Sequence, residues 1–285
     1  MAPEPDRYAV IGHPIAHSRS PWIHARFAAQ TGQRVAYTAI DADSADLAGC
    51  VRDFFARGGR GMNVTIPHKQ AVLPLLSDLS ERARIAGAVN VIVHEGNDRN
   101  DGLRGDNTDG IGLVRDLTHN LGVAVAGQRV LLLGAGGAAR GLVAPLLELQ
   151  PLELVIANRS PDRAVALARE FGALGPVRGA TFAALEAERF ALIINATAAG
   201  LSHELPPLPS SVLAAASVCY DLCYARGTLR FLQWAQQLGV ARCFSGAGML
   251  VEQAAESFLL WRGIRPETAS VIAELIAQTA AAPAA

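Results

Sequence analysis

The stretch Arg129-Val-Leu-Leu-Leu-Gly134-Ala-Gly136-Gly-Ala-Ala139 decides the fold. After Arg129, Val130 to Leu133 form an apolar run of the length of a short buried strand. Gly134-Ala135-Gly136-Gly137 is a glycine turn, and a helical pattern then runs to about Gln150. Strand, glycine turn and helix in this order fit the dinucleotide-binding fingerprint G-x-G-x-x-[GA]. In that reading Gly134 permits the tight turn, Gly136 lets the backbone approach a pyrophosphate, and Ala139 keeps the helix close to the strand. The helix mouth, with Ala135, Gly137 and Ala138, offers unpaired N–H groups and partial positive charge to phosphates. The other reading of the same residues is a purely structural glycine turn.

Downstream, Leu154 to Ala157 reads as the second strand of this unit and ends at Asn158-Arg159-Ser160. An NAD enzyme usually carries an acid there to bond the ribose 2′-hydroxyl. Glu153 stands at the opposite end of the strand. Arg159 is placed to face a 2′-phosphate, Asn158 and Ser160 can hydrogen-bond it, and Arg163 adds a second charge one helical turn on. NADP is therefore the expected cofactor. Strands at Leu192–Ile194 and Val218–Asp221, with helices near Pro161–Phe171 and Thr228–Leu238, continue a βαβ series whose parallel sheet should be covered on both faces.

Upstream, strands are expected at Tyr8–Gly12, Val35–Ile40, Gly61–Val64 and Val89–Val93. Helices are expected from Pro21 to about Gln30, from a Ser44 cap to near Gly58, from Thr65-Ile-Pro67 onward, and from Asp109 or Gly110 towards Asn120. After Gly246 the pattern is purely helical, over Met249–Trp261 and Pro266–Ala280. The fold class is α/β with two domains. Residues 1–109 and 246–285 form an N-terminal α/β substrate domain completed by C-terminal helices, and residues 110–245 form a Rossmann-like NADP-binding domain.

The 285 residues suffice for two domains, and 51% hydrophobic with 18% charged residues is a globular composition. Lys plus Arg is 25 and Asp plus Glu is 26, a net charge of -1. No basic stripe argues for nucleic acid. Cys50, Cys219, Cys223 and Cys243 show no metal spacing and read as small hydrophobes. Met1–Asp6 lacks the pattern of a signal peptide, and no apolar run reaches a membrane span of about 18 residues. A soluble cytoplasmic protein is expected, with a frayed alanine tail from Ala280 to Ala285.

Four strings in the first domain carry chemistry. His17-Ser18-Arg19-Ser20-Pro21 puts two hydroxyls at a helix mouth, although plain N-capping explains one serine. Asn63-Val-Thr65-Ile-Pro67-His-Lys69 puts Lys69 in an expected first helical turn, where the dipole disfavours a cation. Gly87-Ala-Val-Asn90 places an amide in an apolar strand, where leaving it unpaired is costly. Gly105-Asp-Asn-Thr-Asp109-Gly110 puts two carboxylates at a helix mouth, where Asp109 could equally be a cap.

Together HSRSP, NVTIPHK, GAVN, GDNTDG, GAGGAAR, NRS, INAT, YDLCY and GMLVEQAA resemble the shikimate dehydrogenase family over essentially the whole chain. The resemblance implies that Ser18 and Ser20 hold a substrate carboxylate. It implies that Thr65, Asn90, Tyr224 and Gln253 contact the carboxylate or ring hydroxyls, and that Lys69 and Asp109 are the catalytic pair. Leu222 and Gly246 would lie by the nicotinamide. The implied reaction is NADPH-dependent reduction of 3-dehydroshikimate to shikimate in a cleft between the domains, without a metal, by a monomer or homodimer. Two departures stand out: Val91 follows Asn90 where the family commonly has threonine, and His68 stands where the family often has an aromatic or apolar residue. Val91 should point to the opposite face, and His68 is expected to be exposed, the alternative being that it tunes the pocket. A quinate/shikimate dehydrogenase of broader use, a folate methylene dehydrogenase and a non-catalytic NADP sensor are the alternatives.

Overall fold

In the computed structural model, residues 4–96, 102–197, 205–224 and 229–280 are described. The tail beyond Ala280 lies outside them. The chain divides into two compact units, one of residues 1–112 and 251–271, the other of 113–250 and 272–285.

The first unit holds strands β1 (Asp6–Gly12), β2 (Val35–Asp41), β3 (Gly59–Val64), β4 (Asp78–Leu79), β5 (Val91–His94) and β6 (Leu103–Asp106). They form one sheet in the order β2-β1-β3-β5-β6-β4. β1 is parallel to β2 and β3, whereas β5 is antiparallel to both β3 and β6. Helix α2 (Leu47–Ala56) packs Leu47, Val51 and Phe54 with Ala9, Ile11, Met62, Val64 and Ile92. Helix α1 (Ser20–Thr31) and the part of α8 (Ala247–Arg262) in this unit bring Phe27 and Phe258 edge to face. Trp261 lies against Tyr8 and donates to the Ile92 carbonyl at 3.0 Å. A Cβ on Gly61 would lie 2.3 Å from the Trp261 indole nitrogen, so the indole needs a glycine beneath it. Helix α3 (Glu81–Ala86) is capped by the Ser80 hydroxyl, which accepts from the Ala83 amide.

Three expectations are corrected here. Ser44 caps nothing: α2 starts at Leu47 behind Asp46, and the Asp43 carboxylate receives the Ala45 and Asp46 amides. No α-helix follows Thr65-Ile-Pro67. Residues 66–72 are turns, followed by a 3-10 turn at Leu73–Leu75. Pro74 removes an N–H from the ladder only seven residues after Pro67, and so short a segment cannot repay helix nucleation. His68 is not exposed but fully buried.

The second unit contains β7 (Arg129–Leu133), β8 (Glu153–Ala157), β9 (Val177–Ala180), β10 (Leu192–Asn195), β11 (Val218–Asp221) and β12 (Arg242–Ser245). All pairings are parallel, in the order β12-β11-β10-β7-β8-β9. This is the doubly wound order, reversing between β7 and β10. Period-two alternation sends Val130, Leu132, Ile156 and Ile194 into one core and Leu131, Leu133, Val155 and Ile193 into the other. Both faces are therefore covered, by helices that include α5 (Gly137–Glu148), α6 (Pro161–Phe171) and α7 (Arg230–Gln237). Helix α4 (Asp109–Arg115) continues as a π-turn to Asn120. Helix α9 (Ala269–Ala280) ends the described chain.

Candidate active site

The Lys69 ammonium lies 2.5 Å from Asp109 Oδ2, with the side chains 11% and 5% exposed. Lys69 is carried by the turn after β3. Asp109 opens α4, where a carboxylate suits the positive end of the dipole, and its amide donates to Asn107 Oδ1. The other carboxylate oxygen, Oδ1, accepts from Asn90 Nδ2 at 2.9 Å. Asn90 Nδ2 also lies 2.9 Å from Thr108 Oγ1 and 3.2 Å from Gln253 Oε1, and Asn90 Oδ1 accepts the Thr108 amide at 2.8 Å. The Asn90 amide, which lies just ahead of β5 rather than inside the strand expected at Val89–Val93, is thus fully engaged. Lys69, Asn90, Asp109 and Gln253 are brought into one hydrogen-bonded cluster. Val91 is buried in β5, so the threonine replacement faces the core.

Ser18 and Ser20 are adjacent but neither is the N-cap, a place taken by Arg19. The Ser18 hydroxyl accepts the Ser20 amide at 3.3 Å, and the Ser20 hydroxyl bonds that of Tyr37. Burial pushes the Tyr37 hydroxyl well above its ordinary pKa, and the Ser20 bond only partly opposes this. Thr65 is half-buried, and its amide donates to the Ile11 carbonyl. A Cβ on Gly12 would come within 2.5 Å of the Thr65 methyl, so glycine at the end of β1 makes room for it.

Sequence reasoning overlooked Asn63, Tyr37 and Ser257 as members of this network. Tyr37 donates to Asn63 Oδ1 at 2.7 Å, and Asn63 Nδ2 reaches Ser257 Oγ at 3.0 Å. Asn63 carried the same signal as Asn90, a buried amide in an apolar strand, and Ser257 lies one helical turn after Gln253 on α8. Asp106 supports the loop before α4. Burial alone would raise its pKa, but Arg82, at 2.6 Å and 3.0 Å, and the Ser80 hydroxyl hold its carboxyl below the usual range.

The second unit carries the expected cofactor residues. Gly134 has φ +108°, and a Cβ there would sit 2.9 Å from the Ala196 carbonyl. A Cβ on Gly136 would meet nothing within 4 Å, so the turn is open on that side. Gly136 is the N-cap of α5 without a side-chain cap, Gly137 and Ala138 form its first turn, and Ala139 is fully buried. Arg159, Ser160 and Arg163 are exposed just beyond β8. Arg163 curls back to the Ala135 carbonyl at 3.3 Å, and Asn158 Nδ2 donates to the Ser160 carbonyl. These groups fit a dinucleotide with a 2′-phosphate. At the carboxyl ends of β10 and β11, Asn195 donates to Asp221, whose other oxygen accepts the Cys223 amide. The Gly246 amide donates to the Cys223 carbonyl, and a Cβ on Gly246 would collide with the Leu222 carbonyl at 2.3 Å. Leu222 and Tyr224 are half-buried. Cys50, Cys219, Cys223 and Cys243 form no disulfide, and of the four only Cys219 is buried. Among the described residues no His, Cys, Asp and Glu cluster could hold a metal ion.

A doubly wound dinucleotide-binding unit together with a polar cluster built around a Lys–Asp pair defines a two-unit α/β protein of the nicotinamide dehydrogenase class. The comparisons narrow this. Residues 10–92 match the shikimate dehydrogenase substrate binding domain, 116–202 the shikimate/quinate 5-dehydrogenase domain, and 246–276 the shikimate 5′-dehydrogenase C-terminal domain. The chain is 56% identical to a shikimate dehydrogenase (NADP(+)) of Methylococcus capsulatus, over 96% of its own length and 98% of the relative's. It resembles the crystal structure of an Ael1 enzyme from Pseudomonas putida at a TM-score of 0.86 and 46% identity, covering 95% and 98% of the two chains. It also resembles the Thermus thermophilus shikimate 5-dehydrogenase in complex with NADP(H) and shikimate, at a TM-score of 0.83 and 35% identity over 96% and 100%. The chain belongs to the shikimate dehydrogenase family.

Proposed function

We propose that this chain catalyses the reversible NADPH-dependent reduction of 3-dehydroshikimate to shikimate, a step of chorismate and aromatic amino acid biosynthesis. The observation that carries this reading is the Lys69–Asp109 pair at 2.5 Å inside a cluster that includes Asn90 and Gln253. Gly134, Ala135, Gly136, Gly137 and Ala138 and Asn158, Arg159, Ser160 and Arg163 would hold NADP(H), with Leu222 and Gly246 beside the nicotinamide, and the bound cofactor would supply the hydride. Lys69 donates the proton that the developing alkoxide on the substrate ring requires, and Asp109 orients the ammonium and the same hydroxyl. Ser18 and Ser20 bind the substrate carboxylate. Thr65, Asn90, Tyr224 and Gln253 contact the carboxylate or the ring hydroxyls.

In this reading residues 1–109 and 246–285 serve as the substrate domain and 110–245 as the NADP domain. The bonds from Gln253 and Ser257 to Asn90 and Thr108 support the return of α8 to the substrate side. The protein acts in the cytoplasm as a monomer or homodimer, without nucleic acid or membrane. No helix among the described residues is long and apolar enough to cross a membrane. Initial rates followed at the nicotinamide absorbance, with shikimate and quinate each paired with NADP and NAD, test the assignment. Shikimate with NADP should give the highest kcat/KM. Absence of turnover with shikimate refutes the reading, and preference for quinate replaces it with the broader dehydrogenase.

A further inference from the structure

His68, which this mechanism does not use, is fully buried beside the residue proposed as proton donor. Its ring Nε2 lies 2.7 Å from the Ala42 carbonyl. A carbonyl can only accept, so Nε2 carries a proton and donates. Among the described residues no group bonds Nδ1. The ring therefore has one polar tether, in surroundings where a lost partner is costly.

That tether sits within a set of bonds holding a segment that forms no helix of its own. The Thr65 amide donates to the Ile11 carbonyl of β1, and the Lys69 carbonyl accepts the Val89 amide ahead of β5, at 2.7 Å. The His68 ring supplies the link to the end of β2, since Ala42 follows Asp41 and its own amide donates to the Gly12 carbonyl at 3.1 Å. The end of β2, and through it the end of β1 that leads to Ser18 and Ser20, are thereby tied to the lysine-bearing turn. A helix would fix Lys69 by its own ladder, whereas a turn needs such external ties.

We infer that His68 is a positioning residue for proton transfer: its Nε2–H bond to Ala42 holds the turn that aims Lys69 at Asp109 and the substrate. The inference rests on the Lys69 role proposed above. Three variants test it, with Lys69→Ala measured alongside. His68→Phe keeps a ring of similar size and removes the donor. His68→Gln retains an amide donor at a comparable reach, and His68→Asn shortens it by one methylene. The expected result is a fall of about tenfold in kcat for His68→Phe and His68→Asn, one hydrogen bond's worth of positioning. The shikimate KM should stay within about twofold, the solvent isotope effect on kcat should grow, and most activity should return in His68→Gln. The inference is overturned if the Phe or Asn variant keeps the parent kcat, or if Gln is as impaired as they are. Equal losses in kcat, KM and thermal stability in all three would make His68 merely structural. If the Phe variant does not fold, the Gln and Asn pair decides alone. A Lys69→Ala variant that retains activity would instead overturn the proton-donor reading, an outcome distinct from failure of the histidine variants.

Discussion

At the scale of single residues, most of the proposed chemistry depends on two side chains 40 positions apart in the chain. A positioned proton donor typically contributes about 10²–10⁴-fold. Lys69→Ala should therefore lower kcat by that order while the shikimate KM changes little, as steady-state kinetics on the purified variant would reveal. Arg159, exposed at the end of β8, is expected to read the 2′-phosphate. Losing a hydrogen bond to a charged group costs about 1.5–3 kcal/mol, so Arg159→Ala should raise the KM for NADP about ten- to a hundred-fold and leave that for NAD nearly unchanged. Equal effects on both cofactors would remove Arg159 from the site. His24 has a different consequence. It is fully buried among Phe27, Tyr37, Phe258 and Trp261, and burial drives its pKa from 6.5 down to about 3. Between these values the unfolded chain binds a proton that the folded chain does not, so stability rises with pH. The contribution is complete above the ordinary value and is lost as the pH falls towards 3. His24→Leu should flatten the dependence of unfolding free energy on pH between about 4 and 6, by at most ~1.4 kcal/mol per pH unit. Denaturant titrations across that range would expose an unaltered slope, which would contradict the assignment.

Among the elements, the glycine turn between β7 and α5 is the most constrained. Gly134 has positive φ and faces the Ala196 carbonyl, so a side chain is excluded twice, by backbone conformation and by space. Gly134→Ala should cost about 1–3 kcal/mol of stability and weaken NADP binding, as chemical denaturation and a fluorescence titration would report. Gly136, with open space around its absent Cβ, should tolerate alanine in the apo protein and lose affinity only for the cofactor. A second coupling joins the π-turn after α4 to β11: the buried Tyr220 hydroxyl donates to Asp116 at 2.6 Å. The turn beyond Thr65 shows where element assignment from sequence failed. A proline at the start of an apolar-periodic run suggests a helix, but Pro74 ends the run before a ladder can form. The short strands β4, β6, β9 and β12 were also missed. Their few residues lack the alternation or β-branched run that marks a strand, and pairing of β6 with β5 and of the others with β6, β8 and β11 supplies their order instead.

For the whole molecule, cofactor binding and stability are linked. A ligand that binds only the folded chain adds about 2.7 kcal/mol at a hundred times its Kd. NADP should thus raise the Tm by several degrees, and NAD at the same concentration by less. Arg159→Ala should narrow the difference between the two cofactors, and an unchanged difference would mean that Arg159 does not read the phosphate. What the sequence alone determined is the content that is local in the chain. The strand–glycine turn–helix unit, the arginines after β8 in place of an acid, and the alternation that buries both faces of the second sheet are written in neighbouring residues. Short-range sterics and periodicity read them without knowledge of the rest. The motifs also nominated Lys69, Asn90, Asp109 and Gln253. Only the tertiary structure decided that these four meet, because they come from a turn, the edge of a strand, a helix mouth and a distant C-terminal helix. It also decided that His68 is buried and that Asn63, Tyr37 and Ser257 extend the network. Whether a polar side chain faces core or solvent depends on which segments pack against it, and no stretch of neighbouring residues encodes that.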